Sequence, residues 1–188
     1  MSVQHAVRAF SAALLSTFVL HAGAAELTRI APEKSAITFT SKQMGVPVDG
    51  RFGRFEAKLA VDPAKPEAGR LQLDIDLGSI DAGSKEADEE VKSKNWFHVA
   101  AFPKASFVST GVKALGGGKY EALGKLTIKG ATRDLSVPFT VKPDAGGALF
   151  EGGFTLKRLQ FKIGEGVWGD VDTVADDVQI RFRIYARN

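Results

Sequence analysis

Apolar and polar side chains alternate with a period of two along most of the chain after residue 26, the mark of strands with one buried face. In residues 70–77 (RLQLDIDL), Leu71, Leu73, Ile75 and Leu77 share one side, while Gln72, Asp74 and Asp76 share the other. The same alternation links Ile37 with Phe39, runs through Phe55, Ala57, Leu59 and Val61, and links Ala105 with Phe107. It returns in Tyr120, Ala122, Leu126 and Ile128, in Leu135, Val137, Phe139 and Val141, in Phe150, Gly152, Phe154 and Leu156, and in Val178, Ile180, Phe182 and Ile184. These eight runs predict eight strands. Turn-forming clusters at Asp62-Pro63, Gly116-Gly117-Gly118, Lys129-Gly130 and 143–147 separate several of them. One-sided alternation argues for antiparallel pairing and against a parallel α/β sheet, whose strands are apolar on both faces. Eight such strands can close into a barrel, which removes exposed edges. The pattern alone leaves a two-sheet sandwich open as the alternative.

One segment breaks the period. Ser84 is placed to cap a short helix over residues 85–94 (KEADEEVKSK), with acids in its first turns and lysines in its last, as the helix dipole favours. Ala87 and Val91 are its only apolar residues, so it is expected to lie across the barrel surface or one end.

Residues 1–24 have a different grammar. A start charged only by Arg8 leads into an apolar run at 9–20 and then the small residues Ala22-Gly23-Ala24. That order predicts a secretory signal cleaved after Ala24 and leaves 25–188 as one domain. The run falls short of the ~20 residues a spanning helix needs. Export to a bacterial periplasm is the expectation. Losing Arg8 lowers the formal charge from +3 by one, to +2, too mild for a nucleic-acid partner. The chain has no cysteine, so it can form no disulfide.

Chemistry-bearing motifs are scarce. His5 and His21 fall in the predicted signal, which leaves His98. One histidine without cysteine is a poor start for a zinc site. The acidic stretch with Asp170, Asp172, Asp176 and Asp177 lacks the spacing of a calcium loop. Residues 164–169 (GEGVWG) spell Gly-x-Gly-x-x-Gly, but no strand–turn–helix context surrounds them. No Gly-x-Ser-x-Gly elbow occurs. No metal, catalytic residue or enzymatic activity is therefore expected. Phenylalanine is abundant instead, with thirteen in the chain, and small inward residues such as Ala105, Ala122, Gly124 and Gly152 could leave room for a cavity.

Residues 124–133 (GKLTIKGATR), followed by Leu135, Val137 and Phe139, closely resemble the hallmark segment of YceI-like proteins. Residues 48–55, Asp81 to Ser84 with Asp88, 95–97, 102–110 and 161–164 resemble further elements of that family in order and spacing. Trp96 and Asn95 depart from it, standing where members commonly carry phenylalanine and an acid. The resemblance implies a lipocalin-like eight-stranded antiparallel barrel with a helix, periplasmic and associated with polyisoprenoid chains such as isoprenoid quinones or polyprenyl phosphates. The expected function is binding or carriage of such a lipid, with no cofactor beyond a bound isoprenoid or quinone. A ligand-free structural or stress-response protein and a quinone-linked accessory to a membrane cytochrome are the alternatives, and a homodimer is left open. Phe39, Phe107, Leu126, Phe154 and Phe182 are the candidate tail contacts. Trp96, Phe97 and Trp168 are the candidate rim, with Lys42, Lys94 or Arg158 as candidates to meet a head group.

Overall fold

The computed structural model describes residues 26–62 and 64–188. The predicted signal, residues 1–24, lies outside them. The strands are β1 (Arg29–Ile30), β2 (Ala36–Gln43), β3 (Val46–Phe52), β4 (Phe55–Ala60), β5 (Arg70–Asp76), β6 (Ile80–Asp81), β7 (Lys104–Gly116), β8 (Lys119–Ile128), β9 (Ala131–Asp144), β10 (Gly147–Lys157) and β11 (Asp177–Arg187), with one α-helix, α1 (Lys85–Lys92). They form one sheet in the order β4-β5-β7-β8-β9-β10-β11-β2-β3-β6, with β1 also on β11. Every pairing is antiparallel.

The eight predicted strands are present as β2, β4, β5 and β7 to β11. The pattern missed β3, although it pairs with β2 over seven positions, Gln43–Ile37 against Val46–Phe52. Pro47 and Gly50 interrupt its alternation, and only Val48 and Phe52 keep the inward period. The turn joining β2 to β3 uses Met44 and Gly45, both at positive φ. Lys129 and Gly130 do the same between β8 and β9, the backbone that two-residue hairpins require.

The sheet curls round on itself. The N-terminal segment spans the closure at one end, since Leu27 bridges Val61 just beyond β4 while β1 pairs with the end of β11. Farther along, a seam runs between β3 and β4, which are joined through Gly53 and Arg54. Ser79 fastens it: its carbonyl accepts from Gly53 N at 3.0 Å and its hydroxyl from Arg54 N at 2.9 Å.

Helix α1 forms where its caps predict, two residues shorter than expected. Ser84 Oγ accepts from Ala87 N at 3.2 Å, and Asp88 Oδ1 accepts from Ala82 N at 2.6 Å. Its weak apolar stripe is enough because the helix covers one end of the barrel, where Ala87 and Val91 turn inward. Two apolar clusters fill the interior. The larger gathers under α1 around Leu77, Trp96, Leu126 and Ile163, and the smaller lies by the N-terminal closure around Leu27, Ala148 and Ala186.

Candidate functional site

Under α1 the larger cluster leaves a cavity of about 130 Å³. Its inner wall is hydrocarbon from several strands: Phe39 of β2, Phe52 of β3, Ile75 of β5, Ala105 of β7, Leu126 of β8 and Phe154 of β10. At the α1 end the exposed Gln43 and half-buried Val48, Ala87 and Val91 border it, and these mark its mouth. The size is close to that of an engineered apolar cavity of ~150 Å³ that admits benzene.

Five of the candidate contacts line this space: Phe39, Leu126, Phe154, Trp96 and Phe97. Trp96 and Phe97 are not rim residues. They are 8% and 9% exposed and form part of the inner wall. Phe107, Phe182 and Trp168 do not line the cavity. Phe107 is buried over Gly124, and Phe182 reaches over Gly152. A side chain on either glycine would strike the ring. The inward glycines therefore receive rings from neighbouring strands and do not enlarge the cavity; of the four small residues Ala105, Ala122, Gly124 and Gly152, Ala105 lines it. Phe39 treats Gly50 in the same way. Toward the far end, Tyr120 stacks on Phe139 at 5.5 Å between centroids, and Phe139 meets Phe150 at 6.3 Å. The interior is thus an apolar chamber under α1 backed by packed rings, and not the open tube expected for a long tail.

Arg158 corrects another expectation. It is 2% exposed and borders the cavity. Its five N–H groups all donate to backbone carbonyls: Nε to Ala175, Nη1 to Ile163 and Gly164, and Nη2 to Trp168 and Val174, at 2.6–3.1 Å. A guanidinium has five donors in all, so none is left for a head group. Burial pulls the Arg158 pKa below its usual value, opposed by the Asp176 carboxylate. Lys42 and Lys94 are exposed and do not line the cavity. Their carbonyls accept from Ala175 N and Lys129 Nζ.

Lys129 is a residue that sequence reasoning missed. Its side chain is 7% exposed, and Nζ donates to the carbonyls of Lys94 and Lys162 and to Glu165 Oε2 at 2.8–3.0 Å. It thereby pins the β8–β9 turn to the chain leaving α1 and to the loop after β10. The only sequence signal was its place beside Gly130 in the turn. Trp96 sits on the same frame: Asn95 O accepts from Gly164 N and Glu165 N at 2.9 and 2.7 Å. The Trp96 ring lies 5.6 Å from that of Trp168 and 5.7 Å from the Arg158 guanidinium carbon. Its Nε1–H is buried and has no partner among the described residues. An unsatisfied buried donor of this kind costs about 1–3 kcal/mol.

A larger cleft, about 720 Å³, opens on the outer side of the seam. Four of its charged side chains pair, Arg51 with Asp81 and Arg54 with Asp76; Glu56, Asp74 and Lys104 also line it, beside the apolar Ile37, Phe52 and Phe55. Ile37 and Phe52 border both spaces. Among the described residues no cluster of metal-ligating side chains occurs. The Gly-x-Gly-x-x-Gly run falls in a loop with a 3₁₀ turn at Gly166–Gly169. His98 sits at positive φ with its ring 5.8 Å from Phe102.

The family model described as a YceI-like domain matches residues 29–186. A UPF0312 protein of Azotobacter vinelandii is 31% identical over 137 residues, 70% of this chain and 69% of that protein. Among solved structures, Burkholderia cenocepacia BcnA superposes with a TM-score of 0.81 and 41% identity, over 84% of this chain and 99% of BcnA. The polyisoprenoid binding domain of Saccharophagus degradans implicated in plant cell wall breakdown superposes with a TM-score of 0.69 at 16% identity, over 87% and 99%. That last likeness is one of fold. With the family model covering the barrel from β1 to the penultimate residue of β11, the chain belongs to the YceI-like family.

Proposed function

We propose that this protein binds the chain of an isoprenoid-type lipid in the chamber under α1 and carries it in the periplasm without transforming it. The observation that carries the reading is the wall: a cavity with a mouth, built of aliphatic and aromatic side chains from across the sheet, whose one buried charge has every donor committed. Such a site offers burial and few directed bonds, which suits a hydrocarbon chain. The shared fold with a polyisoprenoid binding domain supports the same ligand class. The export pattern of residues 1–24 supports the location.

A tail longer than one benzene-sized group needs more room than the chamber offers. Phe52 is the side chain to move, because it stands between the chamber and the seam cleft. Its ring touches Phe39 at 5.6 Å and Phe97 at 6.4 Å. Turning it joins the two spaces.

The test is native mass spectrometry of the mature chain mixed with geranylgeraniol, beside Leu126→Asp and Phe154→Asp, with circular dichroism to confirm folding. Loading of the parent and loss in the folded variants is the expected result. Equal loading of a folded variant puts the tail elsewhere. No loading of the parent removes the reading.

A further inference from the structure

We propose that Trp96 is the specificity-determining donor of the chamber: its indole N–H bonds an oxygen acceptor on the lipid, so an isoprenoid carrying a carbonyl is preferred over a bare hydrocarbon. This rests on the lipid-binding reading and adds the chemistry of the ligand's polar end.

Three observations converge. First, Trp96 is a wall residue more than nine-tenths buried, and its Nε1–H is unpartnered among the described residues. Folded chains rarely leave such a donor without a role. Second, the neighbouring Arg158 supplies positive charge but no hydrogen bond, since carbonyls hold all five of its donors. The wall beside Arg158 thus offers a field that attracts an electron-rich oxygen and the indole N–H to meet it. Third, the backbone on either side of the indole is held. Trp96 N donates to Ser93 O at 3.1 Å, and Asn95 O receives two N–H groups from the loop after β10. The indole is therefore placed before any ligand arrives, which lowers the cost of using it. The polar side chains Ser41 and Gln43 stand on β2 toward the mouth, so Trp96 polarises the wall where it is otherwise hydrocarbon. A carbonyl at the indole leaves the attached chain to run along Leu126 and Phe154.

The experiment compares farnesylacetone, an isoprenoid ketone, with farnesene, an isoprenoid hydrocarbon, on the parent and on Trp96→Phe, which keeps a ring but removes the donor. Calorimetric titration should show the ketone binding about tenfold more weakly to Trp96→Phe, with farnesene changed by less than about twofold. In ¹H–¹⁵N spectra of the parent, the indole resonance that disappears in Trp96→Phe should move downfield with the ketone and not with farnesene. Equal loss of both probes makes Trp96 a matter of shape and overturns the proposal. So does unchanged ketone affinity, or an indole resonance indifferent to the ketone. If the parent binds neither probe, the lipid reading falls and takes this inference with it; if it binds both alike, only the inference falls.

Discussion

Arg158→Lys isolates geometry from charge. Lysine keeps the positive charge but has at most three donors and no planar fork. Of the five carbonyls that Arg158 serves, those of Ala175, Ile163, Gly164, Trp168 and Val174, at least two must lose their partner. Each buried carbonyl left unsatisfied costs about 1–3 kcal/mol, so the substitution should cost about 2–6 kcal/mol. That is a large part of the ~5–15 kcal/mol by which a domain is stable. With a urea slope of about 2 kcal/mol per M, the unfolding midpoint should fall by about 1–3 M. The damage should centre on residues 163–175, which close around the guanidinium. Native-state hydrogen exchange should therefore show the amides of Ile163 and Val174 opening sooner than those of β8 and β9. Since both residues also line the cavity, lipid loading should weaken with them. A midpoint within about 0.5 M of the parent, roughly 1 kcal/mol, would refute the idea that the five bonds hold this loop.

Three further substitutions follow from the packing and the charges. Gly124→Ala places a methyl group against the Phe107 ring and the backbone carbonyl of Val108; the ring can give but the carbonyl cannot, so about 1–3 kcal/mol should be lost. Gly111→Ala, with open space at that position, should stay within about 0.5 kcal/mol; thermal melts of the pair check the contrast. Lys129 holds the Glu165 carboxyl below its usual pKa of 4.5. The stabilisation from this ion pair is therefore full above that value and drains away as pH falls through the lower folded-state pKa. Melting temperatures of the parent and Glu165→Gln should differ at neutral pH and converge in acid; a constant gap would contradict the assignment.

The period of two was a reliable guide wherever a strand buries one face with large side chains, as β5, β9 and β11 do. It failed at β3, where Gly50 lies under Phe39 and contributes no inward side chain of its own. The same effect misled the reading of the cavity. A glycine on an inward face looks like empty space in a sequence, but Gly124 and Gly152 lie under rings supplied by strands next to them in the sheet. Which ring covers which glycine depends on register, and register is a property of pairs of strands. Arg158 and Lys129 were obscure for a related reason: all but one of their partners, the Glu165 carboxylate on Lys129, are backbone carbonyls, which every residue carries and no composition reveals. The hydrocarbon positions Phe39, Leu126 and Phe154 were legible because inward alternation alone places them.

The size of the chamber governs what kind of binder this barrel can be. Hydrocarbon burial contributes about 0.8 kcal/mol per methylene-sized group, or about 4 kcal/mol for one isoprene unit. A space of about 130 Å³ accepts little more than that, and association alone costs ~4–15 kcal/mol. A short apolar fragment is therefore held weakly at best. A longer tail must displace Phe52 from Phe39 and Phe97, and two aromatic contacts are worth about 1–3 kcal/mol together. That cost falls once, whereas each added isoprene unit that reaches shelter contributes again. On the proposed reading a small apolar molecule is held only weakly in the closed chamber, and a long chain is held more tightly because it alone can offset the opening. Selection by length would then come from the aromatic wall, and selection by head group from the indole beside Arg158.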